Sequence, residues 1–396
     1  MPKSASLVAV QMQYRLEDYR SAEAFRERVL GVMRAVRQRA PKGDLLGVFP
    51  EDVGLGLIFT QDFERVQTAK TMVEAGLRLM ERYQINAFAG EGGFAGATRT
   101  LLRTLSPFVE RVYHEVFSEA ARVGGAWVVA GSAPIAQGEC VHNVSYTYNP
   151  KGERVLVQRK INLVPLEQEA GLNLCPAPRE LPTVNTPAGK LGVLICLDGF
   201  YHELIDQHAK RGVRVIAMPS FNPLPWTKEE AQGWETGLLA GVQKHPDMIG
   251  VNPMGVGGFF DVRAEGQSSI VAPRELPTVN TPVGKLGVLI CLDGFYHELI
   301  DQHAKRGVRV IAMPSYNPLP WTKEEAQGWE TGLLAGVQKY PDLIGVNPMG
   351  VGGFFDVRAE GQSSIVASRA RTPDGSGYLA RAKSKDQEEI LIYPAP

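Results

Sequence analysis

Long hydrophobic runs, paired cysteine motifs and an excess of charge of either sign are all missing from this chain of 396 residues. The longest apolar stretches, such as Leu191 to Cys196, fall far short of the ~20 residues that span a bilayer, so no membrane partner is expected. The amino terminus lacks the charged-then-apolar pattern of a secretory signal, which points to a cytoplasmic protein. Cysteine is scarce. Cys140, Cys175, Cys196 and Cys291 show no CxxC spacing and are too scattered for a disulfide scaffold, so free thiols in a reducing compartment are expected. Lys and Arg number 42 against 43 Asp and Glu, a formal net charge of -1, which makes a nucleic-acid partner a poor expectation. What remains, with 44% apolar and 21% charged residues, has the composition of an ordinary globular protein and excludes collagen-like and disordered chains.

The clearest feature present is a repeat. Ala177 to Val271 reappears as Ala272 to Val366 at an offset of 95, with four differences: Ala188/Val283, Phe221/Tyr316, His245/Tyr340 and Met248/Leu343. Solenoid repeats are ~20–50 residues long and number three or more, so this is a tandem duplication of one long unit. Removing one copy leaves 301 residues, a size that a single large domain can reach. The expected division is a domain over residues 1–271, a duplicated copy over 272–366, and a tail over 367–396 that completes the domain.

Apolar periodicity gives alternating strands and helices. Strands are predicted over Ala5 to Met12, Asp44 to Phe49, Ala126 to Ser132, Val144 to Tyr148 and Arg154 to Arg159, the last two joined by the turn signal Asn149-Pro150-Lys151-Gly152. Helices are predicted over Ala22 to Arg39, Gln61 to Arg82 and Thr100 to Val123. The first copy continues with strand Leu191 to Cys196, helix Phe200 to Arg211, strand Val213 to Met218, helix Lys228 to Lys244 and strand Met248 to Val251. In the tail, Pro373-Asp374-Gly375 reads as a turn and Glu389 to Tyr393 as a strand. The fold class is therefore α/β, with sheets covered by helices.

Three positions combine reactive chemistry with a place at a strand end. Cys196 closes an apolar strand and precedes Leu197-Asp198-Gly199 and a helix, so its sulfur is expected at a helix amino terminus, where the dipole favours thiolate and Asp198 can cap. Taken alone, a free cysteine in a strand is more often a small buried apolar residue. Glu51 follows a strand in Phe49-Pro50-Glu51, at the carboxyl end of the sheet where open α/β folds bind ligands. Lys160 follows a strand in Arg159-Lys160-Ile161-Asn162, where a fixed ammonium can hold an oxyanion. Taken singly, both charged residues are more often solvated.

Together, Phe49-Pro50-Glu51, Arg159-Lys160-Ile161-Asn162 and Ile195-Cys196-Leu197-Asp198-Gly199 resemble the motifs of the nitrilase, or carbon-nitrogen hydrolase, superfamily. The run from Lys160 to Pro165-Leu166-Glu167 is most similar to the aliphatic amidase and formamidase branch. The resemblance implies a four-layer αββα sandwich of the nitrilase type, here with an extra tandem-duplicated half-domain. It also implies a Glu-Lys-Cys triad of Glu51, Lys160 and Cys196, with Glu167 as a second active-site carboxylate and Glu169 close enough to compete for that place. The implied activity is hydrolysis of a small-molecule amide, carbamoyl compound or nitrile through a thioester, with no metal or organic cofactor, by a homo-oligomer. A silent assembly protein and a thioester-using acyltransferase are the other classes to separate from it.

The duplication supplies the nucleophile twice, as Cys196 and Cys291, but Glu51, Lys160 and Glu167 only once. Lys160 is 36 residues from Cys196 and 131 from Cys291, and loop closure favours the nearer copy by ~1 kcal/mol. Cys196 is the expected nucleophile and Cys291 the alternative. Weaker signals are a G-x-G-x-x-A match at Gly90 to Ala95 after a strand-like run Ile85 to Ala89, which reads as a loop, and His142 and His202 as partners for a thiol.

Overall fold

A computed structural model describes residues 5–88, 92–169, 171–272, 276, 278–354 and 357–394. It divides into two compact units, Met1–Arg274 and Glu275–Pro396.

In the first unit, a parallel core of strands Ser6–Ala9, Leu45–Val48 and Trp127–Val129 is extended by antiparallel strands Cys140–Tyr148, Ala133–Gln137 and Arg154–Arg159. Helices Ala22–Arg39 and Gly93–Gly124 cover one face, burying Phe25, Val29, Met33, Leu105, Val112 and Phe117. Ser21 starts the first of these helices where the periodicity predicts, its hydroxyl accepting from the Ala24 amide.

The repeated segment builds a second sheet, ordered Ser269–Val271, Ile249–Asn252, Val215–Ala217, Gly189–Val193 and Thr183–Thr186. Its inner face packs Leu191, Val193, Ile195, Val215, Ala217 and Val251 against Leu46, Val48, Val129 and Leu156 of the first sheet. Its outer face meets the helices through Leu194, Leu204, Ile205, Ile216, Met218, Leu238 and Val242. Strands buried on both faces explain the near-continuous apolar runs in the sequence. The layers run helix, sheet, sheet, helix, which is the αββα order expected.

Several predicted elements differ in detail. The strand over Ala5 to Met12 splits: Ser6–Ala9 stays in the first sheet, while Met12–Tyr14 pairs with Gly255–Phe259. The helix over Gln61 to Arg82 is broken, because the Thr71 hydroxyl accepts from Glu74 N and starts a new helix at Met72. The helix over Lys228 to Lys244 is interrupted at Gly237, whose φ of -81° and ψ of -120° are not helical. Residues 85–88 form no strand, and Ala89, Gly90 and Glu91 lie outside the described residues. No described helix is long and apolar enough to cross a membrane.

The expectation of four free thiols is overturned. Cys140 and Cys175 form a disulfide with Cα atoms 5.7 Å apart, leaving Cys196 and Cys291 free. The bond joins the start of a strand to the loop after Glu167, a proximity that sequence spacing does not reveal.

In the second unit, Thr278–Thr281, Gly284–Val288, Val310–Ala312, Ile344–Asn347, Ser364–Val366 and Tyr378–Arg381 form one sheet in that order. The tail, expected to complete the first domain, gives its strand Tyr378–Arg381 to this sheet, beside the Ser364–Val366 strand it directly follows. Residues 389–393 form no strand, and Ile390 and Ile392 are exposed.

The disulfide closes a loop with a sequence separation of 35, for which chain entropy gives a stabilisation of about 3–4 kcal/mol. Urea unfolding of the Cys140→Ser/Cys175→Ser variant is expected to show a loss of that order. An unchanged midpoint would remove the bond from the account of stability.

Candidate active site

Four side chains named from the sequence come together at the ends of strands in the first unit. Glu51 follows Leu45–Val48 on a turn where Asp52 adopts a left-handed φ of 61°. Ser132 fixes this turn, its hydroxyl accepting from Asp52 N at 2.9 Å and its carbonyl from Gly54 N. Gly131 makes the close approach possible: its φ is 73°, and a Cβ there would lie 2.0 Å from Pro50 O. The Tyr14 hydroxyl donates to Glu51 O.

Lys160 leaves Arg154–Arg159 with its amide bonded to Asn143 O. Its ammonium donates to Glu51 Oε1 at 2.8 Å and Glu167 Oε2 at 2.6 Å. Glu167 sits on the short turn Pro165–Glu167 and also accepts from Val164 N at 3.0 Å. Glu169 is exposed, so the competition between the two carboxylates resolves in favour of Glu167 as the group beside Lys160.

Cys196 begins the one-turn 3-10 segment Cys196–Phe200 with a left-handed φ of 48°, a strained conformation for a non-glycine residue. Its amide is bonded to Pro219 O, its thiol donates to Phe221 O at 3.7 Å, and it lies close enough to Glu51 and Lys160 to feel their charge. Water is nearly excluded: Lys160 is 1% exposed, Glu51 2%, Glu167 4% and Cys196 5%.

Electrostatics follow from this burial. Desolvation raises the Glu51 carboxyl, the Lys160 charge opposes the rise and the Glu167 charge adds to it; the group is held up at about 7. Desolvation alone would lower Lys160, but the acids facing it, Glu51 first, outweigh that and hold the ammonium charged. The thiol is pushed well above its ordinary range, first by burial and then by Glu51, with Lys160 opposing. This overturns the expectation of a thiolate made by a helix dipole. The segment is a single 3-10 turn, and desolvation dominates the field of so few peptides.

Asp198 caps nothing beyond its own turn. Fully buried, it accepts from Ile161 N at 3.1 Å, Asn162 N at 2.7 Å and Ile195 N at 3.4 Å, tying the cysteine turn to the Lys160 loop. Asn143 was not singled out by the sequence, yet its Nδ2 donates to Glu51 Oε1 at 3.0 Å and Glu167 Oε1 at 2.8 Å. The signal was available: the strand Cys140–Tyr148 carries polar residues although it is buried along its length. His142 bonds to Cys175 O and His202 to Thr236 O, so their hydrogen bonds are made away from Cys196. Cys291 occupies the same elbow in the second unit, with φ 48° and its sulfur 3.7 Å from Tyr316 O.

The fold and this cluster define a layered α/β protein with a thiol, two carboxyl groups and an ammonium sealed in one site. Residues 109–274, which include Lys160, Glu167 and Cys196, match the family model described as carbon-nitrogen hydrolase. An omega-amidase NIT2 of Danio rerio is 31% identical over 115 residues, covering 27% of this chain and 41% of the relative. The deaminated glutathione amidase of Homo sapiens is 29% identical over 117 residues, covering 27% and 36%. The chain thus spans less than half the length of these relatives. Among solved structures, an amidase from Nesterenkonia sp. is 17% identical with a TM-score of 0.47, covering 72% of this chain and 88% of that one. Nit3 of Saccharomyces cerevisiae, a member of branch 10 of the nitrilase superfamily, is 17% identical with a TM-score of 0.46, covering 69% and 83%.

Replacing the ammonium tests the electrostatic account. Lys160→Met leaves two buried carboxylates without a cation, and is expected to cost about 3–5 kcal/mol at pH 8. Their folded-state affinity for protons then exceeds that of the unfolded chain, so stability should fall as pH rises and recover toward pH 5. Urea unfolding at both pH values measures this, and an equal loss at each would contradict it.

Proposed function

We propose that this protein is a cysteine-dependent hydrolase of non-peptide carbon-nitrogen bonds, acting on a short amide, carbamoyl compound or nitrile. The observation that carries the reading is the Lys160 ammonium bonded at once to Glu51 and Glu167, in a buried cluster whose charges act on the Cys196 thiol. The amidase names of the relatives agree with this class of bond.

For an amide, the Cys196 S–H proton passes to Glu51 as sulfur bonds to the carbonyl carbon, whose π electrons move to oxygen. Lys160 donates to the resulting oxyanion, since the amide of Cys196 is engaged with Pro219 O. Collapse breaks the C–N bond, and the proton on Glu51 goes to the departing nitrogen, leaving a thioester. Glu51 then takes a proton from water as the water oxygen attacks. Loss of sulfur from the second tetrahedral species, with the proton returned from Glu51 to sulfur, releases the acid and restores both the thiol and the carboxylate. Glu167 holds Lys160 in place and keeps it charged.

A thiol that is protonated at rest needs its base, which makes the activity sensitive to Glu51. With that carboxyl held near 7, kcat/KM is expected to fall about tenfold per pH unit below neutrality as the base takes up a proton. Glu51→Gln should lower kcat by about 10²–10⁴ and remove this limb. A profile flat from pH 5 to 8 would sink the role of Glu51.

The nucleophile is tested by ammonia release in dilute solution. Cys196→Ser is expected to lose on the order of 10³-fold or more in kcat, whereas Cys291→Ser should retain it. Loss in the second variant alone would reverse the assignment.

A further inference from the structure

The two copies place one sequence in two settings. In the first, the inner sheet face is sealed: Leu191, Val193, Ile195, Val215, Ala217 and Val251 are each at most 1% exposed. Their counterparts Leu286, Val288, Val310, Ala312 and Val346 in the second unit are only half-buried, and Ile290 is 64% exposed. Val279 and Val283 beside them are 55% and 52% exposed. The outer face is closed in both, since Leu289, Leu299, Ile300, Ile311, Met313 and Val337 form a core with the helices of the second unit. The second unit is therefore a folded half-sandwich with one apolar face uncovered.

The first unit shows what fits such a face. It is the surface of Leu46, Val48, Val129 and Leu156, carried by the front half of the chain. Of the four substitutions between copies, Ala188/Val283 adds apolar bulk on this face. Phe221/Tyr316 adds a hydroxyl where Phe221 stacks on Tyr14. The other contact residues are unchanged. The second unit also holds Cys291 on an elbow of the same conformation as Cys196.

We propose that this face docks the front half of a second copy of the chain, residues 5–176, whose Glu51, Lys160 and Glu167 complete a second site on Cys291. This rests on the hydrolase reading above. Exchanging one interface for a near-identical one is the low-cost route of domain swapping, so chain concentration governs how far it proceeds.

Two full-length variants with different affinity tags, co-expressed, test it. One carries Glu51→Gln with Cys196→Ser; the other carries Cys196→Ser with Cys291→Ser. Neither has a complete set of groups alone. The probe is whichever short aliphatic amide the Cys291→Ser chain hydrolyses. Docking predicts that each tag captures both chains, and that the pair releases ammonia at least ~100-fold faster than either variant alone. It also predicts that adding Ile290→Lys to the first variant abolishes the activity of the pair, and that adding it to both variants abolishes capture as well. The residual activity of Cys196→Ser should rise with chain concentration. Failure of capture, or capture without ammonia release, overturns the proposal while an active Cys291→Ser chain leaves the hydrolase reading standing. If Cys291→Ser is itself inactive on every amide, the assignment of Cys196 falls instead.

Discussion

The buried ammonium of Lys160 is the interaction on which the site depends. Two carboxylates converge on a space closed to water, and without a cation between them at least one would hold a proton and cease to be a base. Lys160 relieves that repulsion while keeping its own charge through the same pair of contacts. Asn143 shares the task without adding charge, since one amide group donates to both acids. Glu51 and Lys160 are consequently interdependent, each shifting the proton affinity of the other.

The architecture explains how such a cluster is held. Glu51 and Lys160 come from one sheet and Cys196 from the other, so the sheet-to-sheet core of Leu46, Val48 and Val129 against Val193, Ile195 and Ala217 sets the distance between carboxyl and thiol. Asp198 adds a polar clamp across the same junction by accepting from two amides of the Lys160 loop. Burial thus has two effects. It strengthens the charge interactions, and it makes the thiol a poor acid that reacts through a partner.

Much of this was legible in the sequence because Glu51, Lys160 and Cys196 each follow a strong apolar strand, and strand ends at one sheet edge are natural meeting points. The helix over Ala22 to Arg39 was legible for a similar local reason, its apolar period. What could not be read depends on contacts distant in sequence. Asn143 matters through a cross-strand position, the Cys140–Cys175 bond through a Cα separation of 5.7 Å, and the thiol's proton affinity through desolvation. The break at Thr71 is different, because it was a local signal outweighed by the longer apolar period around it.

The duplication leaves an arithmetic that no arrangement of chains escapes. Each polypeptide carries one front half and two back halves, so any closed or open assembly contains twice as many greasy inner faces as there are lids to shut them. Swapping moves the deficit from one molecule to the next without reducing it. A surplus of this kind leaves one apolar face per chain open to water in every assembly, and it ties the colloidal behaviour expected of the protein to the same strands that wall its buried cluster.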